Sequence, residues 1–246
     1  MTLLQRFLDP SFVSLKICGI TRQADAEQLS ALGVEALGIN FWPLSKRYLA
    51  PANAAWLLDL AGKILRVGVF VNAPAELPLR LMREGWLDVI QLHGDEVAAD
   101  AEVFRSANIP FIKAIGVKSR DDLGRASDYG ASAILLDAHA PGIYGGTGEI
   151  FDWNVAMQFR DQHDALPIVL AGGIVPENAA RAARTVRPAA LDVASGAERA
   201  PGLKDFAKVR ALLEALSAGD LKSEMLTRQQ IASRQDRGQK TREEGE

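Results

Sequence analysis

Eight short apolar runs recur along the chain, and a longer stretch of mixed apolar and polar residues follows each run. The run at 65–71, Leu-Arg-Val-Gly-Val-Phe-Val, is typical in its β-branched and aromatic content. Runs of this length and composition predict β-strands. The predicted strands are 15–18, 35–41, 65–71, 89–92, 111–115, 133–137, 168–171 and 190–193.

The stretches between the runs have the features of helices. Residues 22–32 mix apolar and polar positions and are followed by Gly33, a common helix terminator. Pro74 stands where a helix begins, a position that proline favours. The predicted helices are 22–32, 51–60, 74–83, 96–106, one that begins near Ser119 or Asp121, 151–160, 176–184 and 205–216.

This alternation of strands and helices predicts parallel pairing through right-handed crossovers. Eight such units in roughly two hundred residues indicate an α/β fold, a single (β/α)8 TIM barrel over 14–216. The alternative is an open, doubly wound sheet in which the first and eighth strands do not pair. Residues 1–13 are predicted to form a short N-terminal extension. Residues 217–246 hold six Lys or Arg, six Asp or Glu and no aromatic residue, which predicts a polar tail, disordered or loosely helical.

The composition limits the classes of function. The 246 residues are 48% hydrophobic with a formal net charge of −3, and no basic stripe indicates nucleic-acid binding. No apolar run is long enough to cross a bilayer, and residues 1–13 do not have the pattern of a signal peptide. One cysteine and three scattered histidines predict neither a disulfide framework nor a metal site. We expect a cytoplasmic protein with no nucleic-acid or membrane partner.

Cys18 ends the first predicted strand, where Gly19 opens a loop and Thr21 is placed to cap the next helix. Side chains alternate along a strand, so Cys18 shares a face with Lys16. At the carboxyl end of a barrel strand, a thiol is placed for catalysis. The alternative is a small buried apolar side chain, because free cysteine is often buried.

Glycine-rich turns follow the last three predicted strands: Gly145-Gly146-Thr147-Gly148, Gly172-Gly173 and Ser195-Gly196. Glycine allows close approach of the backbone to an anion, whose oxygens then accept hydrogen bonds from main-chain N–H groups. Loops after the seventh and eighth barrel strands commonly bind phosphate. These turns therefore predict a phosphorylated ligand.

Two charged side chains lie at other strand ends. Asp137 ends an apolar strand, where a carboxylate adds nothing to a core; a helix cap or a solvated loop acid is the alternative. Arg47 follows the second strand and has the geometry to hold a carboxylate with two hydrogen bonds. An ordinary surface arginine is the alternative there.

Several motifs together resemble the phosphoribosylanthranilate isomerase family of tryptophan biosynthesis. They run in order from about Leu15 to Leu216. The motifs are Lys16-Ile17-Cys18-Gly19, Gly68-Val69-Phe70-Val71-Asn72, Gln91-Leu92-His93-Gly94-Asp95-Glu96, Leu135-Leu136-Asp137, Gly145-Gly146-Thr147-Gly148 with Phe151-Asp152-Trp153, Leu170-Ala171-Gly172-Gly173, and Ser195-Gly196-Ala197-Glu198 with Pro201-Gly202-Leu203-Lys204-Asp205.

The resemblance implies a cofactor-free (β/α)8 barrel that performs an Amadori rearrangement of a phosphosugar. It implies that Cys18 is the general base and Asp137 the general acid. It also implies that Arg47 holds the anthranilate end, that the late glycine turns bind phosphate, and that Asp192 contacts the substrate. A monomer and a homodimer both fit the sequence.

This chemistry requires an acid that burial keeps protonated and a thiol that nearby positive charge partly ionises. Lys16 is the candidate for that charge. The chain departs from the family at Ala194, usually serine, and at Ala197, usually valine. The competing functions are the aldose–ketose isomerase of histidine biosynthesis, triosephosphate isomerase and a non-catalytic sensor of phosphorylated metabolites. Both proton-transfer groups are present, which favours the anthranilate enzyme.

Overall fold

The computed structural model describes residues 1–138 and 152–217, and its central feature is a closed barrel of eight parallel strands. The strands follow chain order around the barrel, and the first pairs with the eighth. They are β1 (Ser14–Cys18), β2 (Ala36–Asn40), β3 (Leu65–Phe70), β4 (Val89–Leu92), β5 (Phe111–Val117), β6 (Ala133–Ala138), β7 (Ile168–Leu170) and β8 (Ala190–Val193). The predicted TIM barrel is confirmed, and the open-sheet alternative is wrong.

Seven α-helices accompany the strands in the described residues. They are α1 (Leu3–Phe7), α2 (Gln23–Ala31), α3 (Glu76–Arg83), α4 (Glu102–Ser106), α5 (Trp153–Gln162), α6 (Pro176–Val186) and α7 (Phe206–Ser217). An antiparallel hairpin of β9 (Glu198–Ala200) and β10 (Leu203–Lys204) stands between β8 and α7. Among the residues described, no helix is both long and apolar enough to span a membrane.

The predicted helices differ from the observed ones in three places. The helix predicted at 51–60 is a pair of 3₁₀ helices, Pro51–Asn53 and Ala55–Leu60. The helix predicted from Ser119 is a similar pair, Arg120–Leu123 and Ala126–Tyr129, and only the end of 96–106 is α-helical. Short crossovers favour 3₁₀ turns, which advance farther per residue than α-helical turns.

Thr21 does not cap α2, contrary to the prediction. The N-cap residue is Arg22, and no side chain caps that helix end. The Thr21 hydroxyl instead donates to the carbonyl of Gly202 at 2.9 Å. This hydrogen bond ties the loop after β1 to the β9–β10 hairpin.

Alternation along the strands divides the core into an outer layer and a barrel interior. On β1, Leu15 and Ile17 pack in the outer layer against the helices. Ser14, Lys16 and Cys18 therefore face the interior. The part of the interior toward the amino ends of the strands is apolar. It is formed by Ala36, Leu65, Val67, Val89, Ile112, Ala114, Ala133, Leu135, Val169, Ala171 and Ala190.

The N-terminal extension packs against the interior at the amino ends of the strands. Phe7 of α1 is completely buried and belongs to the interior cluster, with Leu3, Leu4 and Leu8 packed beside it. A capping box fixes the start of the helix: the backbone N–H of Gln5 donates to Thr2 Oγ1, and the Thr2 N–H donates to Gln5 Oε1. Helix α1 thus forms a floor at the end of the barrel opposite the carboxyl ends. The predicted tail from residue 218 onward lies outside the described residues.

We expect Phe7→Ala to lower the free energy of unfolding by about 3–5 kcal/mol, the usual cost of removing a buried phenyl ring. Urea unfolding measures this change. Phe12→Ala, on the same segment but only partly buried, is the control and should cost less. Equal losses from the two variants would contradict the floor assignment.

Candidate active site

Cys18 and Asp137 lie at the same end of the barrel. Cys18 is the last residue of β1, and Asp137 is the last but one of β6. Asp137 has the strand parity of Ala133 and Leu135, which belong to the interior cluster, so its side chain faces inward. Because all eight strands are parallel, both groups stand on the carboxyl-end rim, where barrel enzymes carry their active sites.

The sulfur of Cys18 occupies space that a glycine provides. Cys18 pairs in register with Gly38 of β2, and a Cβ added to Gly38 would stand 2.5 Å from the sulfur. Any larger residue at that position would displace the thiol. The Cys18 side chain is partly exposed, so a ligand at the rim can reach it.

Burial raises the pKa of the Cys18 thiol, and the Asp192 carboxylate adds to the increase. The charges of Lys16, Lys204 and Arg47 act in the opposite direction and offset only part of it. Nearby positive charge therefore acts on this pKa in the expected direction, but it does not bring the pKa below its usual value.

Lys16 and Asp192 form an ion pair inside the barrel. They face each other in the register of β1 and β8, and Nζ stands 2.9 Å from Oδ1. Burial alone would lower the pKa of Lys16, but Asp192 and Cys18 outweigh it and hold the pKa above its usual value. Lys16 thus carries a positive charge on the same face of β1 as Cys18, two residues before it, as the alternation of side chains predicted. Asp192, predicted to contact the substrate, has one carboxylate oxygen bound to this ammonium.

Asp137 is buried and held by two neighbours. Its Oδ1 accepts a hydrogen bond from the Ala138 backbone N–H at 2.8 Å, and its Oδ2 is 3.3 Å from His93 Nε2. The amide nitrogen of Gln91 is 2.6 Å from the other ring nitrogen of His93. His93 belongs to one of the motifs that resemble the isomerase family, but the sequence alone predicted no role for His93.

Arg47 lies on the same rim and is firmly held. Its stem crosses Gly19, where an added Cβ would overlap the Arg47 side chain. Its guanidinium binds Glu198 with two groups, Nε at 2.9 Å from Oε1 and Nη2 at 2.7 Å from Oε2. Glu198 also accepts from Lys204 at 2.7 Å. Arg47 is thus not an ordinary surface arginine.

The turns after β7 and β8 pack against each other. Gly172 and Gly173 have φ angles of +82° and +60°, a region that favours glycine. A Cβ on Gly196 would overlap the carbonyl oxygen of Ile174, so the two turns touch at this point. Gly172 also approaches Asp137, with its added Cβ only 3.1 Å from Oδ1.

These turns carry the residues that the sequence predicts to bind phosphate. Ser195 begins the short 3₁₀ helix Ser195–Ala197, next to the paired glycines. Asn178 of α6 fastens the first turn by donating to the Gly173 carbonyl and accepting from the Val175 N–H, both at 2.9 Å. The other phosphate candidates, Gly145, Gly146 and Gly148, lie outside the described residues.

The chain matches the family model for N-(5'-phosphoribosyl)anthranilate isomerase over residues 15–215. An enzyme of that name from Thermotoga neapolitana is 41% identical over 203 residues, which cover 82% of this chain and 97% of the relative. The crystal structure of the Thermus thermophilus phosphoribosyl anthranilate isomerase has a TM-score of 0.73 and 41% identity. That match covers 84% of this chain and 99% of the other.

A third similar protein was crystallised with a ligand. It is a phosphoribosyl anthranilate isomerase in complex with reduced 1-(o-carboxyphenylamino)-1-deoxyribulose 5-phosphate. It has a TM-score of 0.72 and 36% identity, and the match covers 84% of this chain and 99% of that one. The segment 1–14, which includes α1, lies outside the residues that the family model matches.

The reactivity of Cys18 tests its electrostatic surroundings. Iodoacetamide reacts with the thiolate, so the alkylation rate against pH should have a midpoint above the value of about 8.5 for a free cysteine. Lys16→Met should raise the midpoint further, because it removes a charge that favours the thiolate.

The double variant Lys16→Met with Asp192→Asn is the control, since it removes two opposing charges and should return the midpoint toward that of the unmodified protein. A midpoint that Lys16→Met leaves unmoved would show that Lys16 does not act on the thiol.

Proposed function

Since the chain belongs to the N-(5'-phosphoribosyl)anthranilate isomerase family, we propose that it performs this isomerisation with Cys18 as general base and Asp137 as general acid. The reaction is an Amadori rearrangement in tryptophan biosynthesis. It converts the aldosylamine N-(5-phosphoribosyl)anthranilate into the ketose 1-(2-carboxyphenylamino)-1-deoxyribulose 5-phosphate. The observation that carries the proposal is the placement of a thiol and a carboxyl group on one rim, together with a held arginine and paired glycine turns.

The first step opens the furanose ring. Asp137 in its acid form gives a proton to the ring oxygen as the bond from that oxygen to C1 breaks, and the nitrogen lone pair forms the C1=N double bond. The carboxylate that remains accepts a hydrogen bond from the Ala138 backbone N–H, and His93 Nε2 lies 3.3 Å from its other oxygen. This hydrogen bond stabilises the charge that forms on the acid.

The second step removes the proton at C2. The positively charged imine acidifies this proton, and the Cys18 thiolate takes it as the electron pair moves through C1 to nitrogen. The resulting enolamine then tautomerises to the ketone, as C1 gains a proton and the C2 hydroxyl loses one. Lys16 favours the thiolate by its charge.

The two catalytic groups are used in opposite protonation states. The reactive pair is a thiolate with a carboxylic acid, which holds the same number of protons as a thiol with a carboxylate. Moving one proton between the groups interconverts the two forms, so the pH profile of turnover belongs to the pair rather than to either residue. The raised pKa of Cys18 shifts this balance toward the form with a thiol and a carboxylate.

The remaining groups hold the substrate at its two anionic ends. The turns at Gly172, Gly173, Ser195 and Gly196 face a phosphate with main-chain N–H groups. Gly145, Gly146 and Gly148, which lie outside the described residues, complete the proposed phosphate-binding set. Arg47 holds the anthranilate carboxylate. Asp192 is proposed to contact the sugar above its bond to Lys16. No cofactor or nucleic acid takes part in this proposal, and the choice between a monomer and a homodimer stays a prediction.

We expect Cys18→Ala and Asp137→Asn each to lower kcat by about a hundredfold or more, the scale of losing a general base or acid. The loss of substrate fluorescence during isomerisation measures the rate. His163→Asn, at the residue that follows the C-terminus of α5, is a control that should keep the normal rate. Near-normal turnover by either catalytic variant would refute its assigned role, and an inactive unmodified protein would refute the function.

Gly173→Val tests the phosphate site. Its φ of +60° strains any β-branched residue, so the turn should shift and its N–H groups should turn away from the phosphate. We expect KM to rise while kcat changes much less, because the catalytic groups stand on other strands. Steady-state kinetics measures both, and a loss confined to kcat would contradict the phosphate assignment.

A further inference from the structure

Glu198 makes more polar contacts than any role proposed so far requires. Its side chain is almost fully buried, and its two oxygens accept from the Arg47 guanidinium, from Lys204 Nζ at 2.7 Å and from the Gly202 N–H at 3.0 Å. Burial alone would raise the pKa of Glu198, but the hydrogen bonds from Arg47 and the charge of Lys204 outweigh it and hold the pKa below its usual value. Glu198 is therefore a stable carboxylate fixed in one orientation.

This carboxylate occupies one edge of the guanidinium. It takes the Nε–H and a hydrogen of Nη2, the side-on edge of Arg47. A guanidinium has five N–H donors in one plane. Within residues 1–138 and 152–217, the hydrogen bonds of Arg47 leave the end-on edge, formed by Nη1 and the second hydrogen of Nη2, for another carboxylate. Glu198 thus determines which edge Arg47 presents and in which direction.

The hairpin that carries Glu198 is anchored to the strand that carries Cys18. Lys204 on β10 donates to the backbone carbonyl of Cys18 at 2.6 Å, and Thr21 donates to Gly202 between the two hairpin strands. Arg47, Glu198 and Lys204 therefore form one hydrogen-bonded unit with the end of β1. The distance from the guanidinium to the thiol is set by this unit.

We propose that Glu198 is a positioning residue that makes the enzyme selective for an ortho-carboxylated arylamine, because it aims the free edge of Arg47 at that carboxylate. The inference rests on the proposed function and goes further by assigning selectivity to a residue that does not touch the substrate. Arg47 binds the carboxylate; Glu198 acts only through Arg47.

The direction in which removal of Glu198 changes substrate binding distinguishes a positioning role from a purely electrostatic one. Arg47, Lys204 and Glu198 together carry one net positive charge. Removal of Glu198 makes the region more positive, and through the field alone this change would tighten binding of an anionic substrate. Loss of orientation has the opposite effect, since a freed guanidinium must be ordered again for each substrate molecule.

The test compares two substrates with each variant. N-(5-phosphoribosyl)anthranilate has the carboxylate, and N-(5-phosphoribosyl)aniline lacks it but undergoes the same rearrangement. We expect Glu198→Ala to raise KM for the anthranilate by about ten- to hundredfold, the scale of a charge-assisted hydrogen bond. KM for the aniline should change less than threefold, and Glu198→Gln, which keeps an acceptor oxygen, should give a smaller rise for the anthranilate.

A double-mutant cycle gives a second readout. Once Arg47 is replaced by alanine, replacing Glu198 should no longer change KM for the anthranilate. Asp88→Ala is the matched control, because Asp88 also pairs with a buried arginine, Arg66, at the other end of the barrel. It should lower the free energy of unfolding and leave the ratio of the two KM values unchanged.

Three outcomes would overturn the proposal: a lower KM for the anthranilate, equal rises for both substrates, or additive effects in the cycle. Failure of the proposed function would give a different result, because the unmodified protein would then isomerise neither substrate.

Discussion

The pairing of β1 with β8 closes the barrel, and the rest of the site depends on this closure. It places Lys16 directly opposite Asp192, so the ammonium and the carboxylate neutralise each other within the interior. Neither charge is stable there alone, because removing one member of a buried ion pair commonly costs about 3–5 kcal/mol. The same closure puts the ends of β1 and β6 on one rim, and it brings the hairpin after β8 against the loop after β2. Cys18, Asp137 and Arg47 gain their proximity from this single topological fact.

The interior is divided along its axis by polarity. The amino-terminal part is apolar and is covered by α1 through Phe7. Above it lie the Lys16–Asp192 pair and Gln91, and the titratable groups of the rim follow. Burial at the rim of this interior raises the pKa of the Cys18 thiol, and the nearby Asp192 carboxylate adds to the increase. A thiol with a raised pKa ionises less readily, but its thiolate is a stronger base once it forms. The positive charges of Lys16, Lys204 and Arg47 lower the free energy needed to form it.

The sequence was sufficient to predict the strands and to place Cys18 and Asp137 at strand ends on one rim. Interior strands of a parallel barrel are covered on both sides, so they stand out as apolar runs, and Cys18 and Asp137 stand out at the ends of such runs. The helices that connect the strands were harder to predict, because α and 3₁₀ helices share an apolar pattern such as that of 51–60. The floor formed by α1 could not be predicted, because five helical residues have too little periodicity to indicate what they pack against. Glu198 was missed for another reason: its partner Arg47 is 151 residues away in the chain, and such a pairing arises only from the closed topology.

The most direct test of this account is a crystal structure of the protein with a reduced analogue of the ketose product. The account predicts that the Cys18 sulfur lies about 3–3.5 Å from C2 of the sugar. It also predicts that an Asp137 oxygen lies about 2.6–3.2 Å from the hydroxyl derived from the ring oxygen. An analogue bound with either group on the far side of the sugar, or in a different cavity, would contradict it.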